Sequence, residues 1–174
     1  AVLEAAWAEG VRHFDTAPLY GLGLAETRLN RFLRDHPRDS YLLSTKIGRR
    51  FRIATPGTRD GRDKWFDVPA RAEVFDYSHD GVMRSLEHSL ERLGLDHVEI
   101  LLVHDIDVAN HQTVAARDAH VETLMTGGYE GLKRAKDAVR EEVQPIDDIR
   151  STKDYRREMA AVLLERAVRV LAEA

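Results

Sequence analysis

Residues 13–21 read HFDTAPLYG, a short apolar segment that ends in a carboxylate and, after a Thr-Ala-Pro turn, reaches a phenol. This stretch predicts a strand that delivers Asp15 and Tyr20 at its carboxyl end. Two later apolar segments, YLLSTK and VEILLVH, stop in the same way at Lys46 and His104. Four ionisable side chains therefore follow the ends of three predicted strands.

The rest of the first hundred residues alternates helical and strand-like patterns. The patterns predict helices over 1–10, 24–35 and 80–93 and strands over 11–16, 41–46 and 97–103. Alternation of this kind is typical of parallel βαβ units and predicts an α/β fold. In a parallel α/β barrel the carboxyl ends of the strands meet on one rim, so residues far apart in sequence can share one site.

The four side chains have complementary chemistry. A tyrosine with its usual pKa of about 10 is a poor acid near neutral pH, and a nearby ammonium favours the phenolate. Lys46 would supply that charge, Asp15 would hold the lysine, and His104 could donate a hydrogen bond to a carbonyl or hydroxyl oxygen. Each residue alone has an ordinary structural explanation, but the ordered set suits proton transfer coupled to hydride transfer.

The same residues carry a resemblance to the aldo-keto reductases. FDTAPLYG, GLAETRL, LSTKIG, LLVHD and FDYSHDGVMRSLEHSLERLGLD resemble the branch with aldose 1-dehydrogenases, fucose dehydrogenases and pyridoxal dehydrogenase, over about residues 1–136. The resemblance implies a catalytic set of Asp15, Tyr20, Lys46 and His104, with Tyr20 as acid/base and His104 orienting the substrate. Asn30 departs from the family pattern, where a small residue is expected.

The resemblance also implies a fold and a reaction. The family barrel needs about 250 residues, so the chain is expected to be truncated. It would hold a partial (β/α)8 TIM barrel of about three parallel strands over 1–136 and a helical tail over 137–174. The expected function is that of an NAD(P)-dependent oxidoreductase acting on an aldose or other small aldehyde or alcohol. Most segments that hold NAD or NADP in the family are expected to be absent.

The tail suggests an alternative. PIDDIRSTKDYRREMAAVLLERAVRVL resembles the C-terminal end of the flavin-binding subunit of molybdenum hydroxylases, over about residues 139–171. A stripe within it at helical spacing is interpreted as core or partner interface, without a flavin contact. The alternative function is that of an inactive truncated or chimeric fragment whose tail docks onto another subunit of such an assembly.

The composition limits the classes of molecule that the chain is expected to bind. A net charge of -4 and a pI near 6.1 give no electrostatic reason to expect nucleic acid or a membrane surface. Without cysteine there is neither a disulfide framework nor a thiolate metal site. The sequence is compatible with the cytoplasm, and a small carbonyl compound or sugar is the expected partner. Unpaired edges of a three-stranded sheet also predict self-association.

Four further segments have competing interpretations. The Gly21–Glu26 stretch fails as a dinucleotide loop because Glu26 replaces a small residue, and it is interpreted as a helix entry with an acid near the positive end of the helix dipole. HDID at residues 104–107 is a weak metal candidate, and no metal is expected. Residues 47–78 have no sustained period and predict an irregular loop, in which Trp65 and Phe66 either close over a substrate or pack on the surface. The last segment is residues 80–93, where one buried helix face is predicted by Val82, Leu86, Leu90 and Leu93.

Overall fold

The computed structural model describes residues 2–54, 65 and 67–142. Three strands form a parallel sheet in the order β1-β2-β5, and two more form an antiparallel pair. The parallel strands are β1 (His13–Asp15), β2 (Leu42–Ile47) and β5 (Ile100–Val103), and the antiparallel pair is β3 (Arg49–Ile53) with β4 (Arg71–Phe75). The helices are α1 (Val2–Ala8), α2 (Leu24–Leu33), α3 (His79–Leu93), α4 (Val108–His111), α5 (Val114–Thr123) and α6 (Tyr129–Glu142).

The predicted alternation of helix and strand is confirmed. Each predicted element exists, and its bounds differ from the prediction by at most three residues. The strands are parallel, with Phe14 beside Leu43 and Ser44 beside Ile100. The α/β class is therefore confirmed, and the described residues hold three parallel strands with helices.

The prediction of an irregular loop over residues 47–78 is wrong at both of its ends. Residues 49–53 and 71–75 pair as an antiparallel hairpin, with Arg49 opposite Phe75 and Ile53 opposite Arg71. The strand β3 reads RRFRI, so arginines occupy both of its faces and hide the period of two. Gly48, with a φ of 97°, joins this hairpin directly to the end of β2.

The helix α3 is built as its sequence predicts. Ser78 caps its start by accepting a hydrogen bond from the Gly81 amide at 3.1 Å, and Gly94 ends it with a φ of 67°. Between these caps the apolar positions face the core, and the four polar positions 84, 87, 88 and 91 are exposed. The predicted buried face is confirmed.

Asn30 has a structural role that explains its departure from the expected small residue. Its side-chain amide donates a 3.1 Å hydrogen bond to the Arg92 carbonyl, in the last turn of α3. The carbonyls of a last helical turn lack partners within their own helix. Asn30 therefore ties α2 to the end of α3.

The apolar core lies on one face of the parallel sheet, here called the outer face. One cluster places Phe14 and Leu43 of the sheet against Leu33 of α2 and Leu93 of α3. A second cluster lies towards the strand ends and places Ile47 and Leu101 against residues that include Val82, Leu124 and Leu132. The helices thus cover the outer face along its whole length.

Alternate residues of β1 and β2 point to the opposite, inner face. They include Asp15, Ser44 and Lys46, which follow the period of two along each strand. Within the described part of the chain this face is more open, since Asp15 is exposed and Leu42 is 45% exposed. The functional candidates lie here.

The expected division near residue 136 falls within α6, which continues to Glu142. The expected helical tail beyond residue 142, its stripe at 155–170 and Phe66 lie outside the described residues. Within the described ranges, none of the helices has the length and apolar character that a membrane crossing needs.

Candidate active site

Asp15 and Lys46 form an ion pair at the carboxyl ends of β1 and β2. The Lys46 Nζ lies 2.7 Å from Asp15 Oδ2 and also donates to the Thr16 carbonyl at 2.9 Å. The other carboxylate oxygen, Oδ1, accepts a 2.6 Å hydrogen bond from Ser44 Oγ. Burial alone would raise the pKa of Asp15, but the hydrogen bonds from Lys46 and Ser44 and the lysine charge outweigh it and lower the pKa. The Asp15 carboxylate is therefore ionised at neutral pH and held by two donors.

Tyr20 lies beside this pair, in the turn that joins β1 to α2. The Lys46 Nζ is 4.9 Å from the centre of the Tyr20 ring. The turn bends sharply because Gly21, Leu22 and Gly23 all have positive φ values, of 62°, 53° and 93°. Glycine adopts such values readily, whereas Leu22 adopts the left-handed region at a cost. The bend brings the phenol back over the end of β2.

His104 completes the cluster from the end of β5. Its ring meets the Tyr20 ring edge-on, with centroids 5.7 Å apart. The side chain is only 2% exposed, and burial, followed by the charge of Arg49, lowers the pKa of His104 to about 4 while Asp105 opposes the shift. His104 is therefore neutral at pH 7. Its Nδ1 is buried and has no hydrogen-bond partner among the described residues.

The structure thus brings together all four residues that the sequence singled out. Strand ends supply Asp15, Lys46 and His104, and the turn after β1 supplies Tyr20. Trp65 adds a fifth side chain, because its ring centroid lies 6.3 Å from that of Tyr20. Of the two expectations for Trp65, this contact favours a position at the candidate site.

Sequence reasoning missed several residues that support the cluster. Ser44 is one of them, and its position two residues before Lys46 on the same strand could have revealed it. Arg49 donates to Asp105, which lies 3.3 Å from His104 Nε2, and Tyr77 donates a 3.1 Å hydrogen bond to the His104 carbonyl. Burial raises the pKa of Tyr77 well above its usual value, so this hydroxyl keeps its proton.

The interpretation of Gly21–Glu26 as a helix entry with an acid near the positive end of the helix dipole is confirmed, because Glu26 lies in the first turn of α2, and this acid also has buried partners. The Glu26 side chain is fully buried. It accepts a 2.6 Å hydrogen bond from Arg92 Nε and a 2.8 Å bond from Thr45 Oγ1. A buried carboxylate requires such partners. Glu26 therefore joins α2 to α3 and to the outer face of β2.

The polar side chains from Asp105 to His111 have structural partners. Asp105 accepts from Arg49, Asp107 caps α4 by accepting from the Asn110 amide at 2.8 Å, and His111 lies 3.3 Å from the Tyr77 hydroxyl. Across the residues that the structure describes, no three His, Cys, Asp or Glu side chains are grouped to hold a metal ion.

Comparison with known proteins places this site in a family. The profile of the Aldo/keto reductase family matches residues 1–158. A D-threo-aldose 1-dehydrogenase from a Pseudomonas species is 48% identical over 109 residues, which cover 60% of this chain and 33% of that protein. A pyridoxal 4-dehydrogenase from Microbacterium luteolum is 39% identical over 136 residues, which cover 74% of this chain and 39% of that protein.

Among solved structures, the holo form of an aldo-keto reductase from Bacillus halodurans aligns with a TM-score of 0.48 and 22% identity, over 77% of this chain and 44% of that chain. The matched regions span between a third and two fifths of the two relatives named first. The family profile covers most of the sequence, including all three parallel strands and the four clustered side chains. The chain belongs to the aldo/keto reductase family, and its parallel strands are those of a (β/α)8 barrel.

Proposed function

We propose that the chain carries the proton-exchange site of an NAD(P)-dependent oxidoreductase that acts on an aldose or another small aldehyde or alcohol. The observation that supports this proposal most is the contact of Asp15, Lys46, Tyr20 and His104 at one rim of the sheet. These groups come from three strand ends, and none of them is needed to fill the outer core.

Tyr20 is the general acid/base of the proposed reaction. Its phenol gives a proton to the carbonyl oxygen in reduction and takes one from the hydroxyl in oxidation. The Lys46 ammonium, 4.9 Å from the ring centre, places positive charge where phenolate charge develops. Asp15 and the Thr16 carbonyl hold that ammonium in place. The lysine is thus oriented before any substrate arrives.

His104 orients the reacting oxygen of the substrate. A neutral imidazole has one nitrogen that donates and one that accepts, so it can contact a carbonyl or a hydroxyl. The low pKa of His104, about 4, keeps it neutral near pH 7. Its ring meets Tyr20 edge-on, so both groups can reach one oxygen atom.

The donor set fits the reacting end of a nicotinamide cofactor. When bound, NAD or NADP supplies or accepts the hydride, a capacity that none of these side chains has. Asp15, Lys46, Tyr20 and His104 handle the accompanying proton and fix the oxygen. The described residues assign no group to the cofactor phosphates, so the choice between NAD and NADP is left to experiment.

The substrate class follows from the relatives and from the site. The two relatives above are named for an aldose and for pyridoxal, which are small polar carbonyl compounds. Trp65 offers an apolar ring beside Tyr20, against which a sugar ring or a pyridine ring can pack. A small aldehyde or its alcohol is therefore the proposed substrate.

The test compares Tyr20→Phe with wild type in NAD(P)-linked oxidation of aldoses, with binding followed by nicotinamide fluorescence. Loss of the phenol oxygen should lower turnover by about 10²-fold or more while cofactor binding persists. Tyr129→Phe removes the same atom on α6, away from the cluster, and should leave turnover unchanged. Equal turnover in wild type and Tyr20→Phe would refute the proposed role.

Three sequence expectations remain proposals. A cytoplasmic location and self-association through sheet edges are two of them, and size-exclusion chromatography of the chain tests the second. The third is the alternative of an inactive fragment with a tail like that of molybdenum hydroxylase flavoproteins. The family match extends to residue 158 and so overlaps the tail segment at 139–171. Absence of any nicotinamide binding would favour this alternative.

A further inference from the structure

Arg49 is a buried cation for which the proposed reaction has no direct use. It stands at the start of β3, directly after Gly48, and is only 2% exposed. Burying a guanidinium costs several kcal/mol unless acceptors surround it. Three acceptors do so: Glu73 Oε1 at 2.5 Å, Asn110 Oδ1 at 3.0 Å and Asp105 Oδ2 at 3.2 Å. The guanidinium also lies 5.0 Å from the centre of the Phe75 ring.

These acceptors come from separate parts of the fold. Glu73 belongs to β4, Asn110 to α4, and Asp105 follows β5. Arg49 therefore fastens the hairpin β3–β4 to the segment that carries His104. A planar guanidinium with several donors in a fixed arrangement suits such a junction, and lysine does not reproduce it.

Asp105 links Arg49 to His104 of the candidate site. The oxygen that accepts from Arg49, Oδ2, also lies 3.3 Å from His104 Nε2. Asp105 has a φ of 43°, an uncommon backbone conformation for a residue other than glycine. A carboxylate beside one ring nitrogen favours the tautomer with the proton on that nitrogen. His104 would then carry its proton on Nε2, where it can donate to a substrate oxygen, and leave the buried Nδ1 as the acceptor.

We propose that Arg49 is a positioning residue, which holds Asp105 against His104 and thereby sets the orientation and tautomer of that imidazole. Its importance for turnover rests on the proposed function, whereas its effect on the ring can be measured without activity. Because Arg49 and Glu73 belong to the hairpin β3–β4, this hairpin would also help to position His104 at the end of β5.

The first measurement follows the ring protons of the histidines by NMR in the full chain. The charged groups acting on His104 are Arg49 on β3, Asp105 beside it, Lys46 on β2 and Asp15 on β1. Arg49→Gln removes the cation that holds the Asp105 carboxylate, so the His104 ring protons at pH 7 should move towards the positions of a tautomeric mixture. Arg52→Gln, which changes an exposed arginine on the same strand, should leave these ring protons in place.

A folding control comes from the same spectra. Hydrogen bonding to Glu99 raises the pKa of His97, and that raised midpoint should persist in Arg49→Gln. If instead every histidine in Arg49→Gln titrates alike, the variant is unfolded and Asp105→Gly alone decides. Unchanged His104 ring protons at pH 7 in a folded Arg49→Gln would overturn the proposal.

The second measurement reads the tautomer at pH 7 from long-range proton–nitrogen correlations. Wild type should carry the His104 proton on Nε2, and Asp105→Gly should shift the ring towards a mixture. Glycine accepts the positive φ at position 105, so this variant removes the carboxylate without adding backbone strain. The same tautomer in both proteins would overturn the proposal.

Measuring turnover distinguishes the positioning role of Arg49 from the proposed function on which its importance for the reaction rests. With the proposed function correct, kcat should fall on the order of tenfold in Arg49→Gln and stay within about twofold in Arg52→Gln. Ring shifts as predicted with no turnover even in wild type would leave the positioning role intact and refute the proposed function. Full turnover in a folded Arg49→Gln would refute the role of Arg49 in the reaction.

Discussion

The outer and inner faces of the parallel sheet are made from the same three strands but carry different kinds of residue. On the outer face, Leu43 and Ile47 are fully buried under helices. On the inner face, alternate positions carry Asp15, Ser44 and Lys46, and both Ser44 and Lys46 donate hydrogen bonds to Asp15. Because side chains alternate along a strand, one short sequence can serve packing and chemistry at once.

This comparison shows where stability and function are separable. Apolar burial stabilises a fold in proportion to the area removed from water, and that burial is concentrated on the outer face. The inner face is held by a partly exposed ion pair and its hydrogen bonds, which contribute little to folding. We therefore expect outer-face variants to lose stability and inner-face variants to lose turnover.

The largest loss of stability is expected for Glu26→Gln. The carboxylate is fully buried and joins α2 to Arg92 of α3, so neutralising it leaves a partly buried guanidinium without its counter-charge. Breaking such a pair costs about 3–5 kcal/mol of unfolding free energy, measurable by urea denaturation. Glu87→Gln makes the same change on the exposed face of α3 and should cost little. Similar losses in both variants would refute the structural role of Glu26.

A smaller and more direct contrast comes from two neighbouring leucines of β2. Leu43 is completely buried in the outer core, so Leu43→Ala should cost about 3 kcal/mol. Leu42 points to the inner face and is 45% exposed, so Leu42→Ala should cost less than about 1 kcal/mol. Urea unfolding of the two variants gives both values. Equal losses would mean that both faces are packed alike.

The sequence predicted the parallel strands, the buried face of α3 and the four clustered residues for the same physical reason. Apolar periodicity marked the strands and α3, and each strand stopped at an ionisable residue, so local pattern alone placed Asp15, Lys46 and His104 at one rim. The Thr-Ala-Pro turn after Asp15 placed Tyr20 at the same strand end.

The parts that the sequence did not predict are buried charges. Arg49 and Glu26 look like surface residues in a linear pattern, because their partners lie far along the chain. Arg92, for example, is 66 positions from Glu26, and Asp105 is 56 positions from Arg49. Only the folded geometry shows that these charges are paired and buried. The strand β3 is not predicted for a related reason, because arginines on both of its faces hide the period of two.

The central claim is that the polar residues of the inner face are needed for turnover and contribute little to the free energy of unfolding. Lys46→Met tests it most directly, with urea unfolding and NAD(P)-linked aldose oxidation measured on the same preparation. We predict turnover lower by about 10²-fold or more and an unfolding free energy within about 1 kcal/mol of wild type. Unchanged turnover, or a loss of stability comparable to that of Leu43→Ala, would contradict the claim.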